Sequence, residues 1–189
     1  MRFTCFISFP IMLGLSLTAP ELITIAITDR WIESAKILQL LCISGAFIPI
    51  IGLCSNLVIS KGKSNIYMWN TLCLVIIQLI TALLLYPFGI HTMVIAYVII
   101  NIAWLFIWNY FVHQEIGYRL VDLLKDLLPY LFIAGGTMVA TYFATADCTH
   151  IYMRFIAKIG MAVAMYTAMM WLSGSVTFKE SIQYLKKKA

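Results

Sequence analysis

From Ser64 to Gln114 the chain carries no Asp, Glu, Lys or Arg. A water-soluble fold does not spare so long a stretch from its surface, because about a quarter of an ordinary domain's residues are charged. Here the share is 11%, with 62% hydrophobic residues and a mean hydropathy of +0.94. The surface must face lipid, and only helices that satisfy their own backbone cross lipid without closing into a barrel.

Six crossings can be read. The first runs from Phe3 to about Pro20, with apolar character continuing to Thr28. The second is Ile37–Ser60, about 24 residues against the roughly 20 that a 30 Å hydrocarbon core requires. The third, Ile66–Tyr86, is separated from the fourth, Thr92–Val112, only by Pro87-Phe88-Gly89, a turn signal that predicts a tight hairpin. The fifth is Leu127–Ala146 and the sixth roughly Phe155–Gly174. The expected fold is an all-α polytopic membrane helix bundle, one transmembrane domain over residues 1–189.

Bases retained on one side mark the cytoplasmic face. One set of loops and ends holds Arg2, Lys61, Lys63, Arg119, Lys125, Lys179, Lys186, Lys187 and Lys188; the other holds Arg30, Lys36, Arg154 and Lys158. The imbalance predicts both termini in the cytoplasm, with residues 175–189 as a basic cytoplasmic tail. Two segments look amphipathic and suited to the membrane surface: one with Leu120, Leu124 and Leu128 on a face, one with Phe178, Ile182 and Leu185. The N-terminal run mimics a signal peptide, but a cut after Ala19 would put Pro20 first, so no cleavage is expected.

Candidate site residues are few. Cys42, Gly45, Pro49, Gly52, Asn56 and Ser60 recur at helical spacing on the second crossing. Close helix packing is the first reading and a kinked helix beside a polar cavity the second, with Asn56 able to serve either. Glu21 follows Pro20. An acid in lipid suggests an ion or proton role, whereas a short interfacial helix begun by Pro20 leaves Glu21 at headgroup level; the second reading is preferred. Gln78, Asn101 and Asn109 suit interhelical hydrogen bonds, and Asn101, Trp104 and Trp108 share a face that packs or lines a sugar path. Gly136, Ala140 and Ala144, with Gly160, Ala164 and Ala168, predict a close hairpin of the last two crossings. Arg154 and Lys158 share a face near the outer surface and are expected to snorkel to the headgroups, with contact to an anionic ligand the lesser reading, which leaves no base deep inside a crossing.

The bases form no patch with interleaved aromatics, so nucleic acid is not an expected partner. Four of the five cysteines lie in apolar runs, Cys148 lies in a loop, and no C-x-x-C pair occurs, so no metal or cofactor is expected. His91, His113 and His150 are scattered, and no hydrolase, zincin or phosphate-cradling motif is present; an enzyme is not expected.

The stretch A-P-E-L-I-T-I-A-I, then T-D-R-W-I-E-S-A-K-I-L-Q-L-L, then a crossing closed by K-G-K covers about a quarter of the chain. It resembles the polysaccharide flippases, the O-antigen and capsule exporters of the multidrug/oligosaccharidyl-lipid/polysaccharide exporter superfamily. Trp31, Ala35, Ile37-Leu38-Gln39 and Gly62-Lys63 match the family's pattern, while Asp29 or Arg30 stands where glycine is usual. The resemblance implies the carboxyl-terminal portion of a larger transporter, its last six helices. It implies transport of undecaprenyl-diphosphate-linked oligosaccharide across a bacterial inner membrane for lipopolysaccharide or capsule synthesis, alongside other polysaccharide-assembly membrane proteins. Asn56, Gln78, Asn101, Trp108 and Glu21 are the substrate-path candidates. A cation-coupled drug exporter and a small non-transporting membrane scaffold are the alternatives.

Overall fold

The computed structural model describes residues 1–145 and 150–172. Within them lie α1 (Arg2–Ala26), α2 (Ile32–Gly45), α3 (Ile48–Ser60), α4 (Ser64–Leu85), α5 (Ile90–Ile116), α6 (Leu120–Ala144) and α7 (Ile151–Leu172). With α2 and α3 counted as one crossing, six segments are long and apolar enough to span a membrane. No strand occurs among the described residues, and the chain is an all-α polytopic bundle. The basic tail with its Phe178, Ile182 and Leu185 face, the end of the sixth run at Gly174, and Cys148 lie outside the described residues.

The helix α1 is the hub: it packs against α2, α6 and α7, and touches α3. One core gathers Phe9, Ile50, Leu123, Tyr130 and Met170 around it. A second, smaller core of Cys54, Val58, Trp104, Trp108 and Val112 joins α3 to α5. The outlying α4 buries a single residue, Asn70, and leans on α5 and α3.

Two prolines sit inside α1, Pro10 and Pro20. Each lacks the N–H that would bond the carbonyl four residues earlier, and an interior proline costs a helix about 3 kcal/mol when that carbonyl is abandoned. Neither is abandoned. The Tyr166 hydroxyl of α7 donates to the Phe6 carbonyl at 2.9 Å, which is the group Pro10 leaves open. The Gln39 amide of α2 donates to the Ser16 carbonyl at 3.2 Å, the group Pro20 leaves open, and the Ser16 hydroxyl donates back to the Gln39 carbonyl at 3.4 Å. Such replacement by neighbouring helices is what lets proline persist within membrane helices. A third contact has the same logic: at the break between α2 and α3 the Ile50 N–H bonds Phe47 instead of Ala46, and Ser8 of α1 donates to the Ala46 carbonyl at 2.9 Å.

Several expectations are corrected. The second crossing breaks at Ala46-Phe47, and Pro49 occupies the first turn of α3, where its missing N–H has no helical partner to lose. The small-residue stripe splits there: Cys42 and Gly45 are buried, whereas Pro49, Asn56 and Ser60 are exposed. The Leu120–Leu128 segment is not a surface helix but the first turns of α6, which continues through Pro129. Its buried face is Leu123, Leu127 and Tyr130, while Leu120 and Leu128 are exposed. The last two crossings do pack together, but Gly136, Ala144, Gly160, Ala164 and Ala168 face outward. On α7 the inward residues are Lys158, Ala162, Tyr166 and Met170. Lys158 and Tyr166 must reach polar partners on α1, and at about 100° per residue that turns positions 160, 164 and 168 to the far side.

The proline account is tested by a double-mutant cycle. Tyr166→Phe should cost about 1 kcal/mol of unfolding free energy in mixed micelles, within the range for interhelical hydrogen bonds. It should cost almost nothing in a Pro10→Ala background, where Phe6 regains a backbone donor. Equal costs in both backgrounds would refute the link.

Candidate functional site

The satisfied carbonyl at Ser16 keeps α1 helical through Pro20 as far as Ala26. Glu21 is therefore not a headgroup-level residue of a separate interfacial helix. It points into the bundle with 4% of its surface exposed, about 8 Å from the end of α1 at 1.5 Å per residue. Lys158 lies about 10 Å from the start of α7 by the same measure, and α1 and α7 pack side by side. The two charges meet at one depth.

Lys158 is 3% exposed. Its Nζ donates to Glu21 Oε1 at 2.6 Å and to the Leu17 carbonyl at 3.1 Å, and lies 5.9 Å from the Tyr142 ring centre. Arg154, one turn earlier and half-buried, places Nε 3.6 Å from the same Glu21 oxygen. It makes no hydrogen bond through that nitrogen, and Glu21 Oε2 is likewise buried without a partner. Lys158 does not snorkel, because its partners are deep, and a base within a crossing is present after all. Two bases share one carboxylate, so the cluster carries a net positive charge with unfilled hydrogen-bonding capacity on both signs.

Next to it an apolar cavity of about 450 Å³ runs between α1 and α7, with Lys158, Thr18 and Tyr166 in a wall otherwise made by residues such as Pro10, Leu15 and Phe155. In such surroundings electrostatic attraction is far stronger than in water. The arrangement suits an elongated apolar molecule with an anionic end.

The remaining candidates are not brought together with Glu21. Asn101 donates to its own helix at the Tyr97 carbonyl, 2.8 Å away. Trp108 is buried in the α3–α5 core, its ring centre 6.1 Å from that of Tyr67. Gln78 lines a separate cavity of about 300 Å³ between α4 and α5. Asn56 faces outward from α3. A further cavity of about 500 Å³ is bounded by Trp69, Asn70 and Trp104, and the Asn70 Nδ2 and Trp104 Nε1 donors are buried without partners; it shares no residue with the Glu21 cavity. Tyr166 and Gln39 carry no functional signal in the sequence, and contact with an anionic ligand is only the lesser reading there of Lys158 and Arg154. A signal existed for Lys158: Glu21 and Lys158 have opposite sign and equal depth on the first and last crossings.

No protein-family model, curated protein or solved structure matches the chain.

Removing one member of a buried ion pair strands the other. Lys158→Met should therefore destabilise the bundle by about 3–5 kcal/mol, whereas Glu21→Gln with Lys158→Met should recover most of that loss. Micelle unfolding of the singles and the double checks this. Single effects that simply add would show that the two side chains are not partners.

Proposed function

We propose that the chain is part of a membrane transporter that flips polyprenyl-diphosphate-linked oligosaccharide across a bacterial inner membrane, with both termini cytoplasmic. The observation that carries the reading is the net-positive Glu21–Lys158–Arg154 cluster beside an apolar cavity of about 450 Å³. A lipid diphosphate presents a matching pair of features: a strongly anionic group that charge-assisted donors hold well, and a hydrocarbon tail. The sugar part of the proposal rests on the resemblance around Trp31 and Ile37-Leu38-Gln39 alone.

Lys158 would hold the phosphate, and Glu21 would be released from it as the anion arrives, since one base cannot serve both at full strength. Arg154, half exposed and lacking a hydrogen bond at Nε, would meet the anion first. Other polysaccharide-assembly membrane proteins are the expected partners.

One observation favours a second reading, a cation-coupled exporter of amphipathic drugs. Glu21 is a carboxylate buried within a crossing, and intramembrane acids commonly relay ions or protons. The two readings part on substrate. In proteoliposomes holding a fluorescent undecaprenyl-diphosphate-linked oligosaccharide, the unaltered protein should expose label to an external quencher. The combined Glu21→Gln and Lys158→Met change should slow this at least tenfold, the effect of losing about 1.4 kcal/mol of binding. Flipping unchanged by that pair would remove the cluster from the mechanism. Transport of a cationic dye driven by a pH gradient, with no flipping, would favour the exporter.

A further inference from the structure

A second recess lies at the turn between α5 and α6, beside Arg119, and shares no residue with the Glu21 cavity. Gly117, at φ 75°, ends α5 in the left-handed region, a conformation that glycine adopts without strain. The chain turns there, and Arg119 becomes the residue from which α6 starts. In this corner is an open cavity of about 410 Å³, bounded by Phe106, Asn109, Tyr110 and His113 of α5 and by Arg119 and Leu120.

Asn109 is 2% exposed, and its Nδ2 is buried with no hydrogen-bond partner. A buried amide donor left unmatched costs about 1–3 kcal/mol, so a missing acceptor is the natural reading. Arg119 makes no ion pair among the described residues. The neighbouring acids are accounted for in part: Glu115 holds Lys63, and Asp126 accepts from Arg2 at 2.6 Å and from the Tyr118 hydroxyl at 2.9 Å. Asp122, in the first turn of α6, makes no ion pair with Arg119.

Depth identifies the ligand. With 27 residues, α5 is about 40 Å long and overshoots a hydrocarbon core of about 30 Å. Asn109 lies about 10 Å from its end and Phe106 about 15 Å, so the cavity straddles the boundary between headgroups and acyl chains. Arginine and histidine stand at its outer rim, an unmatched amide in its wall, and phenyl, phenol and leucine surfaces along its inner part.

We infer that this corner binds the phosphodiester of an anionic membrane phospholipid. Arg119 supplies the charge and paired donors, Asn109 the inner donor and His113 a further one, while Phe106, Tyr110 and Leu120 receive the start of an acyl chain. A free phosphate would leave those apolar walls bare, which is why the ligand is a lipid.

The test uses the full chain in nanodiscs of equal phosphatidylglycerol and phosphatidylcholine, with lipid retained after detergent release counted by native mass spectrometry. Phosphatidylglycerol should be retained about tenfold over phosphatidylcholine, about 1.4 kcal/mol, because both offer the phosphodiester but the choline ammonium adds a positive charge that opposes Arg119. Arg119→Ala, at an exposed position that folding does not depend on, should remove that preference, and Arg119→Lys should restore part of it. Asn109→Ala should weaken it in protein whose circular dichroism is unchanged. Lys125→Ala, the same loss of charge at the same end but outside the corner, should leave it intact. The inference falls if the unaltered protein shows no preference, or if Lys125→Ala loses as much as Arg119→Ala. It also falls if inorganic phosphate at millimolar concentration displaces the lipid as well as lysophosphatidylglycerol does.

Discussion

The bundle depends on how the open carbonyls of α1 are answered. A helix in lipid has no water to fall back on, so each carbonyl that proline deprives of its partner must be met by a side chain from elsewhere. Phe6 takes a hydroxyl from α7 and Ser16 takes an amide from α2. Ser8 returns the service at the break in the second crossing. Two neighbouring crossings are thereby tied to one helix at three depths. In a medium where apolar packing alone discriminates weakly between helix faces, these few directional contacts set rotation and register.

The same logic explains why a charge pair is tolerated beside them. Lys158 reaches the Leu17 carbonyl as well as Glu21, so its ammonium is anchored to the backbone of the kinked helix and not to the carboxylate alone. A buried pair contributes little net stability, because desolvation offsets most of its attraction. The partnerless Glu21 Oε2 and the half-exposed Arg154 leave the cluster's hydrogen bonding incomplete.

Much of the architecture was legible in the sequence. Long uncharged runs give crossings and Pro87-Phe88-Gly89 gives the hairpin; both are found, although the second run breaks at Ala46-Phe47 and the fifth begins at Leu120. The faces were not legible, and the reason is physical. Apolar periodicity reports burial only when the alternative is water; in lipid, Leu120 facing out and Leu123 facing in look alike. Small-residue spacing on α7 misled for the same cause, since Gly160, Ala164 and Ala168 present a plausible stripe that polar partners on α1 turn away. The prolines are the more reliable guide: those at 10 and 20 flag open carbonyls at 6 and 16, and the residues that answer them, Tyr166 and Gln39, name the neighbours. A helix start at Pro20 would leave Glu21 at headgroup level. The Ser16–Gln39 exchange is what keeps the helix going.

The most direct test of the central claim, that α1 and α7 are held in register by a buried pair of opposite charges, is to exchange them. Glu21→Lys and Lys158→Glu should each depress membrane abundance and the midpoint of micelle unfolding. Together they should recover part of both, since the mutual attraction is kept although the Leu17 carbonyl loses its donor and Arg154 then faces a like charge. A double exchange as unstable as the worse single would mean that Glu21 and Lys158 do not meet, and the register assigned to α1 and α7 would have to be abandoned.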